Sequence, residues 1–169
     1  VDADQIARKV VEPGSAGLTA IVDAFGSHVI RNGQLDREAL GALVFSSDEK
    51  RKHLESILHP RIAIESATQI QEALEKAPPL VVYDAALLVE SGRANDFRPL
   101  IVVTASPDIQ RSRIMERDGL DQEASNSRLA AQMPVHEKAK QADYVIRNDG
   151  SIAELHVQVD ELWSILIES

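Results

Sequence analysis

The sequence predicts a mixed α/β fold organised on buried parallel strands, and three observations point there. Pro78 and Pro79 halt a preceding helix, after which Leu80–Tyr83 form a short apolar run that ends at Asp84. A second, β-branched run, Leu100–Thr104, ends in the turn Ala105-Ser106-Pro107. Around both runs apolar residues recur at helical spacing, the alternation from which α/β sheets are built. In an open sheet of this kind ligands bind in the crevice beyond the carboxyl ends of the strands, which is where Asp84 falls. Glu90 follows within one short helical segment and offers a second carboxylate near the same crevice. The competing reading has Asp84 capping a helix and Glu90 simply solvated.

Composition narrows the function. With 169 residues, 44% of them apolar, the chain suffices for one domain or one domain with an insertion. A net charge of -9 argues against a nucleic-acid-wrapping surface, so any anionic ligand must be met by a local cluster of cations. Cysteine is absent, which excludes a disulfide framework and thiolate metal sites and is compatible with a reducing cytoplasmic location. No run approaches the roughly 20 apolar residues of a membrane span, and no signal-peptide pattern occurs.

The elements follow in order. Val1 reads as the last residue of a strand whose beginning is missing. Asp4 is an N-cap or first-turn acid for a helix through Ile6, Val10 and Val11 that stops before Pro13, with Arg8 one turn below it. From Gly14 to Ala77 the pattern is helical almost throughout, interrupted at Val29, Ile30 and the turn Asn32-Gly33. Asp36 starts a helix through Leu40, Leu43 and Val44; Ser46 with Glu49 makes a capping box for the next, carrying Leu54, Ile57 and Leu58. His59-Pro60 ends or restarts that helix, since proline is tolerated in a first turn but not inside, and a last helix runs from about Arg61 to Lys76. This block reads as a helical insertion on one side of a sheet.

After the second strand, Ser106 is the N-cap and Pro107 the first helical residue of a helix bearing Arg111, Arg113 and Arg117 that breaks at Asp118-Gly119. A further helix with Arg128 and Gln132 ends near Met133-Pro134, and Lys138 and Lys140 follow. This is the one basic concentration in an acidic chain, and several guanidinium forks on a helical hairpin suit a polyphosphate; a merely solvated, charge-balancing face is the alternative. The last unit is a strand, Tyr144–Ile146, the turn Asn148-Asp149-Gly150, and a terminal helix with Leu155, Val159, Leu162, Leu166 and Ile167 on its apolar stripe.

Taken together, VDADQIARKVVEPG, LDREALGALVF with SILHPRI, VVYDAALLVESG, RSRIMERDG and SRLAAQMPVHEKAKQADYVIRNDGS resemble the dephospho-CoA kinase family, in family order and spacing over nearly the whole chain. The resemblance implies a P-loop kinase: a three-layer parallel α/β sheet formed by residues 1–12 and 78–169, a helical lid at about 107–133, and residues 13–77 inserted as the substrate domain. It implies ATP as co-substrate, Mg²⁺ as cofactor and dephospho-CoA as acceptor; nucleic acid and membrane are not expected partners on charge and hydropathy, and no protein partner is inferable from the sequence. Asp4 resembles the general base for the ribose hydroxyl, Asp2 shapes the junction, and Arg8 holds the substrate's anionic end. Asp84 would orient Mg²⁺ or its water. Arg111, Arg113, Arg117 and Lys138 are the implied lid cations, Arg117 foremost, and Asn148 and Gly150 the implied nucleotide contacts. His59, Leu87, Leu88 and Glu90 belong to the implied substrate pocket.

Two departures accompany the resemblance. Ala86 stands where the family has proline, and no GxxxxGKS/T phosphate loop occurs. The family's first strand lies centrally in the sheet, so the chain is expected to be the C-terminal part of a longer protein and inactive by itself. Two rivals stay open at this point: another P-loop nucleoside or nucleotide kinase, and a non-catalytic remnant that binds nucleotide or CoA-like ligands.

Overall fold

The computed structural model describes residues 1–45 and 47–168. It divides into two compact units, Val1–Ala86 and Leu87–Ser169.

In the first unit α1 spans Ala3–Lys9 and starts where Asp2 caps it, the Oδ1 oxygen accepting from the amides of Asp4 and Gln5. Ile6 is its buried residue, and α1 packs on α4. Helix α2 (Ala16–Phe25) is capped by Ser15 and ends at Gly26. The brief interruption expected at Asn32-Gly33 is a hairpin: β1 (Ile30–Arg31) pairs antiparallel with β2 (Gln34–Leu35). Asn32 at φ 53 and Gly33 at φ 77 supply the two left-handed residues that a tight two-residue turn requires. Asp36 accepts from the Ala39 amide at the start of α3 (Arg37–Phe45). The core of this unit is Val11, Ile21, Val29 and Leu40, closed over by Phe25, Leu43 and the Leu54, Ile57 and Leu58 face of the next helix.

That helix, α4, corrects one expectation. It runs unbroken over Asp48–Leu74 with Pro60 inside, so His59-Pro60 neither ends nor restarts it and no separate helix begins at Arg61. Proline forfeits its own amide bond, but α4 packs against α1, α2 and α3, and this tertiary burial outweighs one missing hydrogen bond. Arg61 also donates from Nη1 to the carbonyl of Ile57 at 2.6 Å. The cap of α4 is Ser47, which accepts from the Lys50 amide; the capping box expected at Ser46 lies outside the described residues.

Glycine is required at position 17, where a Cβ would lie 2.0 Å from the carbonyl oxygen of Val10. Alanine would add about 0.5–1 kcal/mol of helix propensity, yet forcing α2 away from α1 costs about 1–3 kcal/mol. Gly17→Ala is therefore expected to lower the denaturant midpoint, and an unchanged midpoint would contradict the close approach.

A second correction concerns Leu80–Tyr83. The segment is extended but forms no strand of its own; a single parallel bridge joins Asp2 to Asp84. Its ladder consists of the Val1 nitrogen to Val82 O at 2.7 Å, Asp84 N to Val1 O at 2.8 Å and Ala3 N to Asp84 O at 2.8 Å. Pairing along Val1–Ala3 alone leaves alternate side chains uncovered among the described residues, and Val82 is 56% exposed instead of buried.

In the second unit the expected short helix around Glu90 is a hydrogen-bonded turn, Ser91 N to Leu87 O at 2.9 Å and Arg93 N to Leu88 O at 3.2 Å. Strands β3 (Ile101–Thr104) and β4 (Tyr144–Arg147) pair in parallel, Ile101 opposite Tyr144 and Thr104 opposite Arg147. Ser106 and Pro107 start α5 (Pro107–Asp118), which Gly119 ends at φ 65, followed by α6 (Gln122–Ala130) and α7 (Val135–Ala139). Helix α8 (Ile152–Ile167) opens on a capping box of Ser151 and Glu154. Of its expected stripe Leu162 is buried, but Val159 and Ile167 are exposed; at 100° per residue Ile167 turns away from the Leu155, Leu162 and Leu166 row, whereas Val159 stays on that face. Gln158 closes the edge of β4, its Oε1 accepting from Arg147 N and its Nε2 donating to Arg147 O, both at 2.8 Å.

The entry to β3 is held by Asp143, whose Oδ2 accepts from Arg98 Nη1 at 2.8 Å and from the Leu100 amide at 2.6 Å. Arg98 first, then the Leu100 amide, holds this carboxyl below its ordinary value of 3.8. A carboxyl depressed in the folded state contributes stability above the unfolded pKa and loses it as pH falls through the folded one. The acid limb of a stability-versus-pH curve is accordingly expected to be shallower in Asp143→Asn, and parallel limbs would remove this linkage.

Candidate active site

Asp2 is consumed by structure: besides capping α1, its Oδ2 accepts from Gln5 Nε2 at 3.0 Å. The Gln5 amide leads these bonds in pulling the Asp2 carboxyl below the usual carboxylate range. This frees the next acid. Asp4 lies in the first turn of α1, exposed, and its carboxylate has no hydrogen bond or ion pair among the described residues. The i,i+4 pair with Arg8 does not form; Arg8 too is exposed and unpaired among the described residues, whereas Lys9 is tied to Glu65 at 2.6 Å. Asp2, Gln5, Arg8, Lys9, Glu12 and Gln69 line an open groove of about 410 Å³.

The parallel bridge brings Asp84 to this junction. Its backbone pairs with Val1–Ala3, and its side chain is exposed with no partner among the described residues. Asp84 caps no helix. Asp84 and the start of α1 thus meet at the end of one extended pair, with Asp4 in the first turn of that helix and Arg8 in its last. His59, on α4, is exposed. Among the described residues no cluster of three or more His, Asp or Glu is placed to hold a metal.

In the second unit Leu87 is 54% exposed while Leu88 is buried. Glu90 contacts Lys138 at 2.6 Å, with side chains 22% and 13% exposed. Both Glu90 oxygens are secluded from solvent without an aligned hydrogen bond, so the contact is ionic, and Lys138 is turned toward Glu90 and away from water.

The arginines of α5 are all engaged, but differently. Arg111 donates to Asn126 Oδ1 at 2.8 Å and to Asp108 Oδ1 at 3.0 Å, joining α5 to α6. Arg113 reaches Asn148 Oδ1 at 3.3 Å, which brings together a lid candidate and a nucleotide-contact candidate. Arg117 forks onto its neighbour Asp118, Nε to Oδ1 at 2.8 Å and Nη2 to Oδ2 at 2.9 Å. Asp118 also takes Arg128, and Arg117 followed by Arg128 holds its carboxyl below the usual range. The Arg117 side chain is 73% exposed and that of Asp118 22%, so the guanidinium stays open to an incoming anion while Asp118 keeps Arg128 as its other partner.

Gly150 has a local reason to be glycine: a Cβ there would lie 2.3 Å from the Glu154 Oε2 that accepts from Ser151 N in the capping box. Sequence reasoning missed two residues. Asp118 had been read only as a helix break, although an acid beside two arginines is a charge-pairing signal. Asp149 had been read only as a turn residue, although its carboxylate accepts from the Ser106 amide at 2.6 Å.

The family model for dephospho-CoA kinase matches residues 1–154. The chain is similar to the dephospho-CoA kinase of Geobacter sulfurreducens, 40% identical over 97% of this chain and 84% of that protein. It is also similar to that of Anaeromyxobacter dehalogenans, 43% identical over 96% of this chain and 77% of that protein. Among solved structures, a Thermus thermophilus protein matches at TM-score 0.80 and 32% identity, covering 98% of this chain and 83% of that one. The dephospho-CoA kinase of Campylobacter jejuni matches at TM-score 0.71 and 29% identity, covering 99% and 84%. With its mixed α/β fold and a family match over nearly its whole length, the chain belongs to the dephospho-CoA kinase family.

Proposed function

We propose that the protein phosphorylates the ribose 3'-hydroxyl of dephospho-CoA with ATP, giving coenzyme A in the cytoplasm. The observation that carries the assignment of roles is Asp4: an exposed carboxylate with no competing partner among the described residues, one helical turn from an unengaged Arg8 and two residues from Asp2, whose backbone bridges to Asp84.

In this reading Asp4 takes the proton as the ribose oxygen attacks the γ-phosphorus and the bond to the bridging oxygen of ADP breaks. Arg8 meets an anionic group of the acceptor. His59, Leu87, Leu88 and Glu90 are assigned to the rest of the acceptor in this reading, His59 and Leu87 offering exposed side chains. Arg111, Arg113, Arg117 and Lys138 supply the positive charge that a transferring phosphoryl group needs, and Asn148 and Gly150 contact the nucleotide. A single unengaged carboxylate at Asp84 fits Mg²⁺, which takes one or two protein carboxylates and otherwise keeps water and phosphate oxygens. When bound, Mg²⁺ would neutralise charge on the phosphates. The architecture that goes with this reading is a three-layer parallel sheet from residues 1–12 and 78–169, residues 13–77 as substrate insertion and 107–133 as lid.

The reading also requires a GxxxxGKS/T phosphate loop, which the 169 residues do not contain. The test therefore assays phosphoryl transfer from ATP to dephospho-CoA with this chain and with the complete gene product in parallel. Transfer by either supports the reading, while transfer by neither, or equal transfer to an unrelated nucleoside, overturns it.

A further inference from the structure

The loops that follow β3 and β4 are clasped to each other by one side chain. Asn148 N continues the strand ladder to Thr104 O at 2.7 Å, and one residue on, Asp149 Oδ1 accepts from the Ser106 amide at 2.6 Å. Ser106 is the N-cap of α5, yet its hydroxyl makes no capping bond. The start of α5 is instead fixed through its backbone. Asp149 holds the Ser106 amide from across the loop, Gln110 N bonds Ser106 O at 2.9 Å, and Gln110 Nε2 bonds Ala105 O. One turn further, Arg113 reaches back to Asn148. The carboxylate also sits at the positive end of the α5 dipole, which favours an anion there.

We infer that Asp149 is a positioning residue that registers the arginine-bearing helix α5 against the 148–150 loop, so that the group reading the nucleotide and the cations facing its phosphates move as one body. The inference rests on the kinase reading and adds to it a residue that touches no reacting atom. Without the clasp, Ser106 N loses its acceptor and α5 can rotate about its first turn, displacing Arg111, Arg113 and Arg117 together relative to Asn148. Misplacement of this kind is costly because catalysis of phosphoryl transfer is mostly positioning and charge stabilisation. The side chain needs only an acceptor oxygen at this place, and asparagine retains one.

The experiment is steady-state kinetics of the complete gene product and its Asp149→Ala and Asp149→Asn variants, varying ATP and dephospho-CoA separately, with thermal midpoints alongside. Asp149→Ala is expected to raise the KM for ATP and lower kcat, together about 10-fold to 100-fold in kcat/KM, while the KM for dephospho-CoA stays within about twofold. Asp149→Asn is expected to recover most of the loss. Equal effects on both KM values, an unaffected ATP KM in Asp149→Ala, or an asparagine variant as impaired as the alanine one would each overturn the assignment. An inactive wild-type protein would remove the kinase reading and this inference with it, so the two failures are told apart by the wild-type assay.

Discussion

Replacing Asp4 by asparagine is expected to lower kcat for phosphoryl transfer to dephospho-CoA by about 10²–10⁴-fold, the range general base catalysis contributes. The substitution keeps size and first-turn position and removes only proton affinity. Asp2 carries the cap of α1 and the Asp4 carboxylate carries no hydrogen bond among the described residues, so the helix should be left intact. Substrate KM values should therefore change little, the pattern of an interaction used only in the transition state. The control is Asp2→Ala, which removes the cap and costs about 0.5–2 kcal/mol of stability instead. A kcat within a fewfold of wild type in Asp4→Asn, with unchanged folding, would move the base elsewhere.

The second large effect belongs to Arg117. Arg117→Met is expected to reduce kcat/KM by about 10²–10³-fold, comparable to losing one preorganised donor at developing negative charge. Its present partner does not contradict the role. Arg117 is the exposed half of the Arg117–Asp118 fork, and a phosphate offers a comparable pair of acceptor oxygens with more charge. Arg117→Lys should fall between the two, since it keeps the charge and loses the fork. Steady-state kinetics against ATP reads both variants, and wild-type kcat/KM in Arg117→Met would assign the phosphate to Arg111 or Arg113 instead.

Much of the local structure was legible residue by residue. Asn32-Gly33 announced the turn, though not the two short strands beside it, because few other residues adopt two successive left-handed conformations. Ser106-Pro107 and Gly119 marked the ends of α5, since proline suits a first helical position and glycine a left-handed cap. The alternation of apolar runs and helical stripes carried the α/β class, and the ordered motifs carried the family, because each depends on chain-local chemistry or on spacing along the chain.

Long-range contacts decided the rest. Pro60 sits inside α4, a helix that packs against three others, a tertiary context that no local preference could reveal. Leu80–Tyr83 looked like a buried strand from its composition, but burial depends on what lies alongside, and its described backbone pairing is confined to Val1–Ala3. Which of Asp2 and Asp4 caps α1 was decided only by the helix start, which engages Asp2 and spares the Asp4 carboxylate. Asp149 and Asp118 were ordinary turn acids until the fold set the Ser106 amide and Arg128 against them. The sequence alone thus determined the fold class, the family and which residue types were present for phosphoryl transfer. Only the tertiary structure decided which of those side chains are engaged and which are unpartnered, because a hydrogen bond or ion pair to a residue 10 or 43 positions away depends on distance in space, not on separation along the chain.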